Sequence, residues 1–494
     1  MLIPRSLASS LFARKSVELL HAELAAHDRL HRVLGPVALT ALGVGAIIGA
    51  GIFVLTGLAA HDYAGPSLML SFVLSGIGCA LAGLCYAEFA AMIPVAGSAY
   101  TYAYATLGEL FAWIIGWDLI LEYAVASCAV AHGWSHYFQS FLALFDIHVP
   151  GPLAIDPFSA SPQVLAAAWH IGGIPIVFDL PAAAIVVVLT LVLVRGIRES
   201  SGLNVAIVAL KLGVVLFVIF AGIPHVNPAN WHPFFPQGMS GTLRGAGYVF
   251  FAYIGFDSIS THAEEARNPE RDVPLALLGS LGICTILYIA VAAVLTGMVP
   301  TPEINVDAPL AEAFAHYGLG TATLIISLGA VAGITSVLLV MMLSQARVLL
   351  AMARDGLLPT KVFAAIHPRF RTPHLSTMLT GACVATVAAL FPLRVLSELV
   401  NIGTLFAFVI VCGAIMIMRR TRPDVRRPFR TPLVPLVPLL GIGANLLLMF
   451  SLGLANWLRL IVWMAIGLAI YFTYGVHHSR LRNGTPRTAA PDSN

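Results

Sequence analysis

Residues 43–57 read GVGAIIGAGIFVLTG, and residues 247–261 read GYVFFAYIGFDSIST. Both stretches are apolar enough to lie in lipid, and both are interrupted by glycine. The first contains Gly43, Gly45, Gly49, Gly51 and Gly57; the second has Gly255 at its middle, between Tyr253 and Asp257. Glycine weakens a helix interior by about 1 kcal/mol relative to alanine. Within a bilayer, unwound backbone persists only where protein buries it or where it lines a cavity. Close helix packing through small residues would account for either stretch alone. Two such stretches, each opening one half of a repeated pattern, point instead to an inverted-repeat carrier.

The surrounding chain supports a membrane protein. Of 494 residues, 59% are hydrophobic and 10% are charged, with a mean hydropathy of +0.88. Soluble domains carry about 25% charged residues, so this chain cannot cover a water-facing surface. Apolar runs long enough to cross a bilayer fall at about 37–59, 66–92, 105–138, 181–195, 202–222, 242–263, 274–298, 320–350, 376–392, 396–418, 433–452 and 456–477. They are continuous rather than alternating, which favours helices over a barrel. If the N-terminus is inside, all but four of the 27 Lys and Arg residues fall on the inner side; the exceptions are Arg244, Arg394 and Arg459 at outer ends, and Lys211 within a span. The stretches 141–180, 223–241 and 299–319, assigned to the outside, contain no Lys or Arg. This asymmetry predicts a multi-pass protein of the cytoplasmic membrane with both termini inside.

The expected organisation is a cytoplasmic amphipathic segment (1–34), a first repeat of five helices (35–222), a second repeat of five (242–418), two further helices (433–477) and a disordered tail (478–494). Residues 1–34 lack the continuous apolar core of a signal peptide. The Arg-rich loop 419–430 reads as a topology anchor beside lipid headgroups rather than a nucleic-acid patch. The six cysteines lie in apolar segments and form no CxxC pair, so they read as buried apolar side chains. His132 and His136 are four apart with no carboxylate between them. No cofactor and no metal are expected.

A break in a membrane helix has its own chemistry. Free N–H groups that begin the second half-helix suit a carboxylate, and free carbonyls that end the first half suit an ammonium. A site with both recognises the zwitterion of an α-amino acid without charged side chains. Lys211 lies about ten residues into SGLNVAIVALKLGVVLFVIFAG (201–222), roughly 15 Å from either end and too deep to snorkel. Intramembrane ionisable residues are costly and usually mark an ion or substrate pathway. A permanently charged structural pin is the competing reading.

Four motifs carry a resemblance: GAIIGAGIFVLTG (45–57), GWDLILEY (116–123), FFAYIGFDSIST with EEARNPERDVP (250–274), and MMLSQARVLLAMARDGLLP (341–359). In this order they resemble the amino acid–polyamine–organocation superfamily, and within it the cationic amino acid transporter branch, bacterial members included. The resemblance implies an all-α LeuT-type fold with 12 transmembrane helices, as a 5+5 inverted repeat plus two. It implies that Ile47, Ala50 and Gly51 hold the substrate backbone with Phe251, Ala252 and Ile254, Phe251 acting as an aromatic gate. Met341 would face the substrate side chain. Lys211 matches the fifth-helix lysine of sodium-independent members, implying proton-coupled symport.

Met341 is bulky and apolar, which favours a small neutral L-amino acid. Glu122 and Asp257, with Asp118, offer carboxylates for the alternative, an exchanger or uniporter of arginine, lysine or ornithine. The bland reading of Asp118 and Glu122 is a satisfied polar network with hydroxyls and His132 or His136. No HExxH, GxSxG or Walker motif supports an enzyme. A non-transporting amino acid sensor would share the binding chemistry. The partners expected are an amino acid, a proton and the lipid bilayer, with no nucleic acid; a small single-helix membrane partner is compatible with the chain.

Overall fold

The structure is a computed structural model that describes residues 11–15, 34–92, 98–196 and 201–483. Most of the expected amphipathic segment 1–34, and the tail beyond 483, lie outside the described residues.

The longer helices are α1 (Pro36–Ile47), α2 (Leu68–Met92), α3 (Glu109–Ala143), α4 (Leu180–Arg195), α5 (Ser201–Gly222), α6 (Gly238–Val249), α7 (Pro269–Met298), α8 (Gly320–Arg354), α9 (His374–Leu390), α10 (Leu393–Thr421), α11 (Leu436–Ser451) and α12 (Leu454–Ile470). Among the described residues, seven stretches are long and apolar enough to cross a membrane: Gly51–Met92, Glu109–Ala143, Ala206–His225, Pro269–Met298, Gly320–Arg354, Leu393–Thr421 and Leu454–Arg482. The helices α1, α4, α9 and α11 are apolar but shorter.

Local sequence sets several starts. Asp179 caps α4, its Oδ1 accepting from the Ala182 amide at 3.0 Å, with Pro181 in the first turn. Asn268-Pro269 opens α7, and the Asn268 amide donates to Asp272 Oδ2 at 3.1 Å. α8 packs along α3, α7 along α2, and α9 along α4. Large apolar side chains remain on the periphery, including Val188 and Leu191 of α4 and Ile461 and Val462 of α12. A belt of this kind suits lipid, not water.

Several expectations need correction. Residues 141–180 include an antiparallel hairpin, β1 (Trp169–Ile171) with β2 (Ile174–Ile176), turning at Gly172 and Gly173, both at positive φ. Such a two-residue glycine turn matches strand twist. The chain beyond His478 stays ordered as far as Asn483: the Arg480 amide donates to Asp355 O at 3.0 Å, and Arg482 Nε lies 2.9 Å from Glu109 Oε1. Cys383 is exposed, whereas the other five cysteines are buried; all six are free.

The Arg-rich loop is also more than a headgroup anchor. Fully buried Glu88 of α2 receives Arg419 at 2.7 and 3.0 Å, the Thr431 amide at 2.7 Å, and Arg427 Nε at 3.4 Å. Two of the six arginines are therefore spent inside the protein. Removing one partner of a buried pair typically costs about 3–5 kcal/mol, since the other charge is left unpaired. Glu88→Ala is expected at the low end, about 3 kcal/mol, because Arg419 is a quarter exposed. Thermal melting in detergent measures this, and an unchanged melting temperature refutes it. The basic residues assigned to outer ends are likewise accommodated: Arg459 and Arg394 meet Glu398 at 3.3 and 3.7 Å, and Arg244 lies over the Tyr63 ring.

Candidate functional site

α1 stops at Ile47. Ile48 turns extended (φ −72°, ψ 106°), and winding resumes at Ala50 as a π turn over Gly51–Leu55. Such turns are rare and concentrate at functional sites. The Ala50 and Gly51 amides, first in the resumed helix, have no intrahelical acceptor. The second break follows α6. A tight turn, Phe250–Tyr253, leads to extended Ile254 (φ −59°, ψ 136°) and to Gly255 at φ +106°. Beyond the break the chain winds as a 3-10 helix over Phe256–Glu265.

The two breaks touch. A Cβ on Gly51 would lie 2.3 Å from Ala252 Cα, and one on Gly255 would lie 2.9 Å from Ala46 O. Only glycine permits this mutual approach, and Gly255 also needs its left-handed φ. Ile47, Ala50, Gly51, Phe251, Ala252 and Ile254 are all buried around this contact. The Tyr288 hydroxyl of α7 reaches both breaks, its one hydrogen shared between Ala252 O at 2.8 Å and Ile47 O at 3.1 Å. Asn401 of α10 donates to Gly247 O and Tyr248 O at 3.0 and 2.8 Å, satisfying carbonyls at the end of α6. Sequence reasoning missed both residues. The signal was present for Asn401, a lone amide in the apolar run VNIGTLFAF (400–408).

Lys211 is 1% exposed, and its Nζ donates to Gly45 O at 2.8 Å. Its stem covers Gly333 of α8, whose Cβ would lie 3.2 Å from Lys211 Cγ. The amine therefore joins α5 to the end of α1 and rests against α8. Met341 is buried on α8, one turn beyond Val337, which packs against Gly49.

The carboxylates divide. Asp257 follows the second break, and Tyr123 Oη lies 3.4 Å from its Oδ2. Both oxygens of Asp118 and Oε1 of Glu122 are buried without a hydrogen-bond partner. The expected network with His132 and His136 does not form. Those histidines face Asp156, Asp179 and Asp307 instead, because the helical rise puts them about three to five turns further along α3.

The sequence model for the family described as amino acid permease matches residues 34–473. The chain belongs to the amino acid permease family. Its relatives include the methylthioribose transporter of Bacillus subtilis (strain 168), 46% identical over 473 residues, covering 96% of this chain and 99% of that protein. The branched-chain amino acid permease BcaP of the same organism has the same identity and coverage. The vacuolar cationic amino acid transporter 4 of Arabidopsis thaliana is 38% identical over 425 residues, covering 84% of this chain and 68% of that protein. Together these support a bacterial permease related to the cationic amino acid transporter branch, hence a transporter rather than an enzyme. In this permease the paired breaks lie among buried ionisable side chains, Lys211 on Gly45 O and Asp257 beside Tyr123.

Proposed function

We propose that the permease is a secondary active transporter that moves amino acids across the cytoplasmic membrane by alternating access. It has a LeuT-type fold of 12 spans, with helices one to five (35–222) and six to ten (242–418) as inverted repeats, helices eleven and twelve (433–477) outside them, and both termini cytoplasmic. The observation that carries this reading is the contact between the breaks, Gly51 against Ala252. It brings the Ala50 and Gly51 amides that open one half-helix against the main chain of the second break. A carboxylate and an ammonium two bonds apart fit that polarity.

Lys211 is the coupling residue in this reading. Protonated, it holds Gly45 O and with it the end of α1; neutral, it cannot act as a cation there. The substrate is a small neutral L-amino acid, because Met341 occupies the side-chain end with an apolar group. Met341→Ser is expected to shift the substrate profile towards larger or more polar side chains, with about a tenfold change in relative uptake. An unchanged profile removes Met341 from the pocket.

A second reading, an exchanger or uniporter of cationic amino acids, draws on the unpartnered carboxylates of Asp118 and Glu122. A counterflow screen of the twenty amino acids in proteoliposomes at two pH values separates the readings. Methylthioribose belongs in the same screen, given the first relative. Neutral substrates preferred at both pH values support the proposal. Preference for arginine and lysine favours the second reading, and binding without flux marks a sensor.

A further inference from the structure

His132 and His136 lie one turn apart on the same face of α3. Asp179, the cap of α4, comes to meet them. His132 Nδ1, His136 Nδ1 and Asp179 Oδ2 all lie within 4.8 Å of one another. Each of these atoms is buried, and none has a hydrogen-bond partner among the described residues. His132 Nδ1 and Asp179 Oδ2 are 3.3 Å apart, and His136 Nδ1 is 3.3 Å from Asp307 Oδ1.

The remaining atoms of these side chains are committed elsewhere. His132 Nε2 lies 3.3 Å from Asp156 Oδ2, and Asp156 Oδ1 accepts from the Phe158 and Ser159 amides. In the tautomer with its proton on Nε2, shared with that carboxylate, the Nδ1 lone pair faces Asp179. Asp179 Oδ1 accepts from Ser135 Oγ at 2.6 Å and the Ala182 amide at 3.0 Å, leaving Oδ2 free. At 3.3 Å an unprotonated Nδ1 and a carboxylate oxygen repel, so either a proton or a metal cation lies between them.

We propose that His132, His136 and Asp179 bind a borderline divalent cation of the zinc type, with Asp307 as the fourth ligand. In a tetrahedral site with bonds of about 2.0–2.1 Å, neighbouring ligand atoms are roughly 3.3 Å apart, which two of the pairs already match. Among the two histidines and Asp179, a contraction of up to about 1.5 Å brings the ligand atoms to the same spacing. The Asp156–His132 contact is the carboxylate support that metal-bound histidines carry. Asp307 is exposed and His136 partly so, which gives the ion a route from water. The donor set, two imidazoles and carboxylates, selects zinc, cobalt or nickel over magnesium or calcium.

The site stands behind the candidate substrate site. Between the two histidines, Gly133 packs against Val54 and Ala50, and the Tyr137 hydroxyl donates to Phe53 O at 2.7 Å. An ion here ties α3, the start of α4 and the loop carrying Asp307 against the resumed half of the first broken helix. By the charge asymmetry of the loops this is the outer face, so the ion would come from outside the cell.

The test uses full-length protein without a histidine tag, in detergent, stripped with chelator. Co2+ is titrated by visible absorption, and Zn2+ is counted by elemental analysis after dialysis. One ion per chain at micromolar concentration is expected, with tetrahedral cobalt bands. The double variant His132→Gln, His136→Gln should lose the ion, and Asp307→Asn, which alters an exposed side chain, should weaken binding about tenfold. No ion on the wild-type protein, or equal binding by the double variant, overturns the proposal. Because the readout is occupancy, it stands or falls apart from the transport reading.

Discussion

Gly51→Ala is expected to abolish transport while leaving the protein folded. The added Cβ would lie 2.3 Å from Ala252 Cα and 2.6 Å from Ala252 Cβ, so main chain must move. Overpacking of this kind costs about 1–3 kcal/mol, and here the cost falls on the relative position of the two breaks. At about 1.4 kcal/mol per factor of ten, substrate affinity should fall up to about 100-fold. Gly282→Ala on α7 is the control, because nothing lies within 4 Å of the Cβ that it adds. Binding is measured on purified protein and uptake in proteoliposomes. Wild-type affinity in Gly51→Ala would show that substrate does not sit at the contact between the breaks.

Lys211→Ala should uncouple the carrier. An inward gradient of one pH unit is worth about 1.4 kcal/mol and supports about tenfold accumulation of a symported substrate. The variant is expected to bring accumulation down to about onefold while retaining counterflow, because the proposed substrate partners Ala50, Gly51 and Phe251 are untouched. Accumulation that persists in Lys211→Ala sinks the coupling role. Loss of counterflow together with a lowered melting temperature would instead identify a structural pin, since Nζ holds Gly45 O at 2.8 Å.

The two breaks were legible because their signals are local. Glycines at 49, 51 and 255, in runs otherwise fit for lipid, announced the breaks, and the structure puts irregular backbone at Ile48 and at Ile254-Gly255. Lys211 was conspicuous as the lone charge in α5. Tyr288 and Asn401 were less visible, because a tyrosine or asparagine in an apolar helix does not say which distant carbonyl it will meet. Asp118 and Glu122 were misread for a related reason. Their i,i+4 spacing gives a shared face, but not what faces it.

By itself the sequence determined that this chain lives in lipid, where its helices must run and which two of them are interrupted. These follow from transfer free energy and backbone propensity, properties of each segment alone. Tertiary structure decided that Gly51 meets Ala252, that Glu88 gathers two arginines from the 419–430 loop, and that two histidines of α3 converge on Asp179. Those partners are distant in sequence, and only the packing of helix against helix fixes which faces meet and at what height.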